Sequence, residues 1–256
     1  MNVRAKKELG QHFLTDLDVA ERIAMALPLD RTEHVLEVGP GMGVLTQFLI
    51  PRPGIDLSLV EIDQESVAYL NRNFTTALAG RIVEGDFLQL PITEPTAVIG
   101  NFPYNISTQI FFKVLDDRHL VPYVVGMLQK EVAERLAAPA GQRAGGVLSI
   151  LLQAFYDVEY LFEVPPSKFS PPPKVMSAVI RCTRNKVVDL GCDERLFKQV
   201  VKGAFAQRRK MLRNAIYASF PAVAAAKLDH PFFKRRAETL TIAEFVELTL
   251  WIKSNL

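Results

Sequence analysis

Glu37-Val38-Gly39-Pro40-Gly41-Met42-Gly43 is the stretch that decides the fold. The residues leading into it, from 34, form a short apolar run with the character of a buried strand, and residues 44–50 carry helical spacing. A strand that enters a helix through closely spaced glycines makes a turn whose backbone can bend sharply and approach a ligand. On both sides of this turn, strand-like and helix-like segments alternate. Residues 16–27 read as an amphipathic helix that Thr15 or Asp16 can cap. Strands are expected at 56–62, 81–86, 96–101 and 123–128, with helices at 64–74, 108–115 and 130–138. Such alternation predicts a parallel sheet covered by helices on both faces.

Past residue 138 the pattern changes. A helix is expected over 147–155, then two β-like runs at 157–164 and 175–183. Residues 165–174 between them contain five prolines and no helical pattern, so the two runs are expected to be antiparallel neighbours. From Asp193 onward only helical periodicity remains, over 196–205, 210–220 and 242–252. The expected fold class is α/β: a Rossmann-like, mostly parallel seven-stranded sheet ending in an antiparallel strand, with a small all-helical C-terminal domain. The boundary is placed near Asn185, giving 1–185 as a cofactor-binding domain and 186–256 as a second domain.

Charge follows the same division. Residues 1–185 hold 17 Lys and Arg against 21 Asp and Glu, a balance of −4. Residues 186–256 hold 13 against 7, a balance of +6. A basic tail on a mildly acidic body predicts contact with a polyanion; a solvated helical surface is the plain alternative. Apolar runs stay short of the ~20 residues a membrane span needs, so no membrane partner is expected. The first ten residues carry Arg4, Lys6, Lys7 and Glu8 without the apolar stretch of a secretory signal. Cys182 and Cys192 form no motif; a disulfide stays open, but the low cysteine usage points to a reducing, cytoplasmic setting. No Cys/His cluster has metal-ligand spacing and no phosphate-binding P-loop is present, so no metal is expected.

Three successive strand ends point at one nucleoside-type cofactor. Gly39 and Gly41 offer close backbone approach, Glu61 in Glu61-Ile62-Asp63 can accept both hydroxyls of a ribose, and Asp86 with Phe87 can meet an adenine edge and face. The glycine spacing is G-x-G-x-G, whereas a dinucleotide enzyme would show G-x-G-x-x-G. The fourth strand ends in Asn101-Phe102-Pro103-Tyr104-Asn105-Ile106-Ser107. An amino group conjugated to a purine is a poor nucleophile and must be positioned before it can attack. The Asn101 side-chain oxygen and a backbone carbonyl just after it can accept its two N–H bonds, Pro103 stiffens the turn, and Tyr104 offers a stacking face. Phe169 and Pro171–Pro173 are candidates for the far side of the base pocket. In the tail, Arg208, Arg209, Lys210 and Arg213 are candidates for the phosphates of a polyanion, with Arg209 and Arg213 four apart on one helix face.

With these stretches in hand, the chain resembles the ribosomal RNA adenine N6,N6-dimethyltransferases, its pattern lying nearest to their bacterial small-subunit (16S) branch. The resemblance runs over nearly the whole chain. It rests on Leu9–Leu14, the Gly39 turn, Glu61, Asp86, Asn101–Ser107, Leu128–Val132, Pro171–Val179 and Phe205–Lys210. It implies a class I methyltransferase using S-adenosylmethionine, in which the N-terminal segment closes over the cofactor, so that Gln11, His12 and Leu14 join the site. His12 departs from the family pattern, where Asn is common, and Phe102 replaces the more usual Leu or Ile. The implied reaction dimethylates two adjacent adenosines in a 3′-terminal hairpin loop of small-subunit RNA within an immature 30S particle. A monomer is expected. Two other functions compete: a large-subunit adenine methyltransferase of the antibiotic-resistance type, and a non-catalytic ribosome-assembly binder.

Overall fold

The computed structural model describes residues 3–225 and 230–256. It divides the chain into two compact units, Met1–Ala133 with Asp157–Arg184, and Glu134–Tyr156 with Asn185–Leu256. The second unit therefore includes Glu134–Tyr156, a stretch that the boundary near Asn185 assigns to the first.

The first unit begins with a short strand β1 (Phe13–Leu14) and helix α1 (Leu17–Met25). Asp16 starts α1 by accepting the Val19 amide at 3.0 Å, satisfying one of the orphan donors of the first turn. β2 (His34–Val38), α2 (Thr46–Leu49), β3 (Asp56–Glu61), α3 (Gln64–Asn73) and β4 (Ile82–Glu84) follow, then β5 (Thr96–Asn101), α4 (Ser107–Asp116) and β6 (Tyr123–Gln129). α5 (Lys130–Ala137) and α6 (Val147–Gln153) precede β7 (Tyr156–Val164), β8 (Phe169–Ser170) and β9 (Ser177–Arg184). The helix expected over 44–50 is a single turn, because the loop through Gly43 takes up the residues before Thr46.

Seven strands form one sheet in the order β4-β3-β2-β5-β6-β9-β7. β4, β3, β2, β5 and β6 are parallel, and β9 runs antiparallel to β6. β2, β5 and β6 are buried almost throughout, as central strands covered on both faces must be. The antiparallel strand is not the edge: β7 lies outside it. Ile23, Leu49, Leu59, Leu70, Ile99 and Val125 belong to the core on one side of this sheet.

The proline-rich link departs from its sequence reading. It contains a 3-10 turn at Pro166–Lys168 and then β8, which pairs antiparallel with β1 (Phe13 with Ser170, Leu14 with Phe169). Two residues of strand are too short for a period-2 pattern to be visible in the sequence.

In the second unit α7 (Glu194–Ala206) packs against α6, α8 (Leu212–Ser219) and α9 (Ile242–Ser254). Asp193 caps α7, and Thr241 with Glu244 forms a capping box on α9. Phe205 stacks on Phe245 with ring centroids 6.0 Å apart, and Phe233 meets Trp251 edge-on at 4.9 Å. Both cysteines are free thiols, Cys182 buried and Cys192 half-buried. Among the described residues no helix is long and apolar enough to cross a membrane.

Candidate active site

The parallel strands deliver their C-terminal ends to one edge of the sheet. Gly39 and Gly41 after β2, Glu61 and Ile62 at the end of β3, and Asn101–Tyr104 at the end of β5 line one cavity. Leu9–Phe13 supplies its remaining wall. This N-terminal segment is a strap stitched down along its length. Lys6 pairs with Asp63 and Glu65, and its backbone amide donates to Gln11 Oε1 at 2.8 Å. The Asn101 side-chain amide donates to the His12 carbonyl at 2.9 Å, and His12 Nδ1 donates to the Pro171 carbonyl at 2.8 Å. Thr15 bonds the Lys168 carbonyl through both its amide and its hydroxyl, and Lys168 pairs with Asp16. Gly41, at φ +55°, has to be glycine: a Cβ there would lie 2.8 Å from the Phe13 ring of the strap.

Glu61 is 5% exposed. One carboxylate oxygen accepts the Gly41 amide at 3.0 Å, the other the Asp63 amide at 2.9 Å. Burial pushes this carboxyl above the ordinary glutamate range, while the two amides pull it back. Each oxygen keeps a second lone pair, so a carboxylate held rigidly at a strand end still has acceptors to offer. Near the end of β2, Glu37 is fully buried and accepts the Thr46 hydroxyl at 2.7 Å. Burial and the neighbouring Glu61 raise its pKa to about 8, against the pull of Thr46. Asp63 is held below the usual carboxylate range: burial works to raise it, and hydrogen bonds from Lys6, Ser66 and Gln11 outweigh burial.

A second cavity of about 460 Å³ adjoins the first, sharing Gly10, Gln11, His12 and Tyr104 as common walls. That volume lies within the roughly 300–1,000 Å³ of small-molecule sites. Gln129, the three prolines 171–173, Val175 and two cations, Lys7 and Lys174, complete it. At its base Tyr104 hydrogen-bonds Ser177, and burial raises the phenol above its ordinary value. Phe102 is buried beneath the loop because Gly100 and Gly126 leave room for its ring.

Gln11, His12, Gly39, Gly41, Glu61, Asn101, Pro103 and Tyr104 thus come together as the sequence reading expects. Four residues do not. Phe169 is 4% exposed, sits in the core and lines neither cavity; its backbone pairing with Leu14 is what anchors the strap. Leu14 is likewise core, facing a small third cavity with Glu37 beneath the glycine turn. Phe87 is buried below Lys113, 5.6 Å from its ring, and offers no open face to an adenine. Asp86 spends one oxygen capping the 3-10 turn at Leu88 and lines neither of these two cavities. Ile62, 52% exposed in the cavity wall, was missed, because the exposure of a single apolar residue at a strand end is not visible in sequence. Lys6 and Ser177 were missed because their partners Asp63 and Tyr104 lie far off in sequence, and Glu37 because burial of a carboxylate is not visible in sequence.

In the second unit, Arg209, Lys210 and Arg213 are exposed. α8 begins only at Leu212, so Arg209 lies in the turn before it and shares no helix face with Arg213. Arg208 differs: Nη2 donates to the carbonyls of Arg143 and Gly145, at 3.1 and 3.2 Å, within the same unit. Among the described residues no cluster of His, Cys, Asp and Glu could hold a metal ion.

The family model described as "Ribosomal RNA adenine dimethylase" matches residues 2–254. A protein of Parabacteroides distasonis, named ribosomal RNA small subunit methyltransferase A, is 55% identical over 99% of this chain and 96% of its own length. One of the same name from Cytophaga hutchinsonii is 51% identical over 96% of both. Among solved structures, a dimethyladenosine transferase from Plasmodium falciparum superposes with a TM-score of 0.80 at 24% identity, covering 95% of this chain and 98% of that one. A 23S ribosomal RNA methyltransferase, ErmE, gives 0.72 at 26% identity over 94% and 99%. The fold is that of a class I methyltransferase, and the chain belongs to the ribosomal RNA adenine dimethylase family.

Proposed function

We propose that this chain dimethylates the N6 amino groups of two adjacent adenosines in a 3′-terminal hairpin loop of small-subunit (16S) ribosomal RNA. It acts in the cytoplasm, as a single chain, on an immature 30S particle. The observation that carries the chemistry is the Asn101 amide, anchored through its nitrogen in the wall of the first cavity, which shares Tyr104 with the second. The names of relatives that are half identical over nearly the full length favour the small subunit; the likeness to a 23S enzyme is far lower in identity.

The first cavity fits S-adenosylmethionine by its donor set: a buried carboxylate at Glu61 for ribose hydroxyls, exposed apolar Ile62 for the adenine, and the backbone at Gly39 and Gly41. When bound, that cofactor supplies an activated methyl group. Asn101 and its loop position the nucleophile. A carbonyl can only accept, so the end of the Asn101 amide that meets His12 is the nitrogen, and the oxygen remains to accept one adenine N–H. The Phe102 carbonyl, next along the chain, is assigned the second N–H, in a turn held by the Ile106 amide on the Pro103 carbonyl and the Ser107 hydroxyl on the Tyr104 carbonyl. The base enters through the larger cavity, stacked on Tyr104. A base must leave its helix stack to do so, at least cost in a hairpin loop.

Arg209, Lys210 and Arg213 bind phosphate in this reading. They crowd the N-terminal end of α8, where cations gain nothing from the helix dipole, and a bound polyanion offsets that crowding. The test is to methylate immature small subunits with labelled cofactor and analyse the nucleosides. Label in dimethyladenosine of 16S RNA is expected; label confined to large-subunit RNA, or none, overturns the proposal.

A further inference from the structure

The geometry points to Ser177 as a positioning residue that sets the plane of Tyr104 for base capture. This rests on the reading that Tyr104 is the stacking face. Ser177 opens β9, lies opposite Gln129 of β6, and is 0% exposed. Its hydroxyl meets the Tyr104 hydroxyl across 73 residues of sequence.

A tyrosine ring has two rotatable torsions, and stacking needs both fixed. The backbone end of Tyr104 is held by the turn in which the Ile106 amide bonds the Pro103 carbonyl and the Ser107 hydroxyl bonds the Tyr104 carbonyl. His12 packs beside the ring, centroids 5.4 Å apart at 34°, and is itself tied to Pro171. None of these contacts holds the far end of the ring; Ser177 does. One hydroxyl donates to the other across this contact, and burial raises the phenol above its ordinary value. Ser177 touches neither cavity, so its effect must pass through Tyr104. A ring free to swing presents the stacked base at variable angles, and in-line transfer tolerates little misplacement.

Ser177→Ala and Tyr104→Phe each remove this one bond from opposite sides. Tyr104→Phe leaves the packing at Ser177 intact, which guards against a folding defect in the first variant. Each should lower kcat on immature small subunits by about tenfold or more, leave S-adenosylmethionine affinity by calorimetry unchanged, and the double variant should be no worse than either alone. Additive losses, a wild-type kcat in Ser177→Ala, or a matching loss of cofactor affinity would overturn the inference. Tyr104→Ala separates the two levels: full activity there would overturn the stacking reading itself, whereas a loss there with a normal Tyr104→Phe would overturn only the role of Ser177.

Discussion

The side-chain nitrogen of Asn101 is bound to the backbone carbonyl of His12, 89 residues earlier in the chain, at 2.9 Å. In the proposed mechanism the strap therefore sets which way the Asn101 amide faces, leaving its oxygen as the acceptor. Asn101→Ala removes both the acceptor and the anchor. It should leave cofactor affinity near normal and reduce kcat by about 10²–10³-fold, the scale of losing a preorganised polar group. Asn101→Asp keeps an acceptor but sets an anionic oxygen against the His12 carbonyl. Its kcat should fall between wild type and Ala; equal rates for Ala and Asp in single-turnover assays would remove Asn101 from catalysis.

Glu61 should matter to cofactor binding more than to RNA binding. A hydrogen bond to a charged group contributes roughly 1.5–3 kcal/mol, so Glu61→Ala should weaken S-adenosylmethionine by about 10- to 100-fold. Calorimetry reads this directly, and an unchanged affinity would show that the ribose is held elsewhere.

Glu37 makes stability depend on pH. Its pKa is raised from the ordinary 4.5 to about 8 by burial and Glu61. Between those values the folded protein holds a proton that the unfolded chain has released. Stability is therefore fully present below about pH 4.5 and is lost as pH rises toward 8, with a limiting slope of about 1.4 kcal/mol per pH unit. Glu37→Gln can still accept the Thr46 hydroxyl and carries no charge. Its Tm should fall less than that of wild type between pH 5 and pH 9; parallel Tm curves would place the buried proton on another group.

The basic cluster should respond to salt. Replacing Arg209 and Arg213 together should weaken RNA binding and lower the slope of log affinity against log salt by about 0.7–0.9 for each phosphate no longer neutralised. Arg208→Ala should behave differently, because that side chain braces the carbonyls of Arg143 and Gly145; it should cost stability of the C-terminal unit. A wild-type salt slope in the double variant would assign Arg209 and Arg213 to plain surface.

Phe102 and Gly126 should compensate for each other. A Cβ at Gly126 would fall 2.3 Å from the Phe102 ring, so Gly126→Ala should destabilise by about 1–3 kcal/mol, the usual cost of overpacking. Adding Phe102→Leu should recover much of it. Urea denaturation measures both, and a double variant no more stable than Gly126→Ala would mean that the sheet backbone, and not the ring, resists the methyl.

Local chemistry was legible without coordinates. The alternation of elements, the glycine turn, Glu61 at its strand end and the Asn101–Ser107 loop each lie within one short stretch. Parallel strands necessarily carry such stretches to one edge of the sheet. Phe87 and Phe169 were misread because a lone aromatic looks the same in sequence whether it faces a ligand or the core. What only the tertiary structure decided is every pairing across long separations: β1 with β8, Lys6 with Asp63, Asn101 with His12, Tyr104 with Ser177. Each is a single hydrogen bond, ion pair or two-residue ladder, too small to impose a periodicity on the chain. Their partners are chosen by the packing of elements already formed, and that packing exists only in three dimensions.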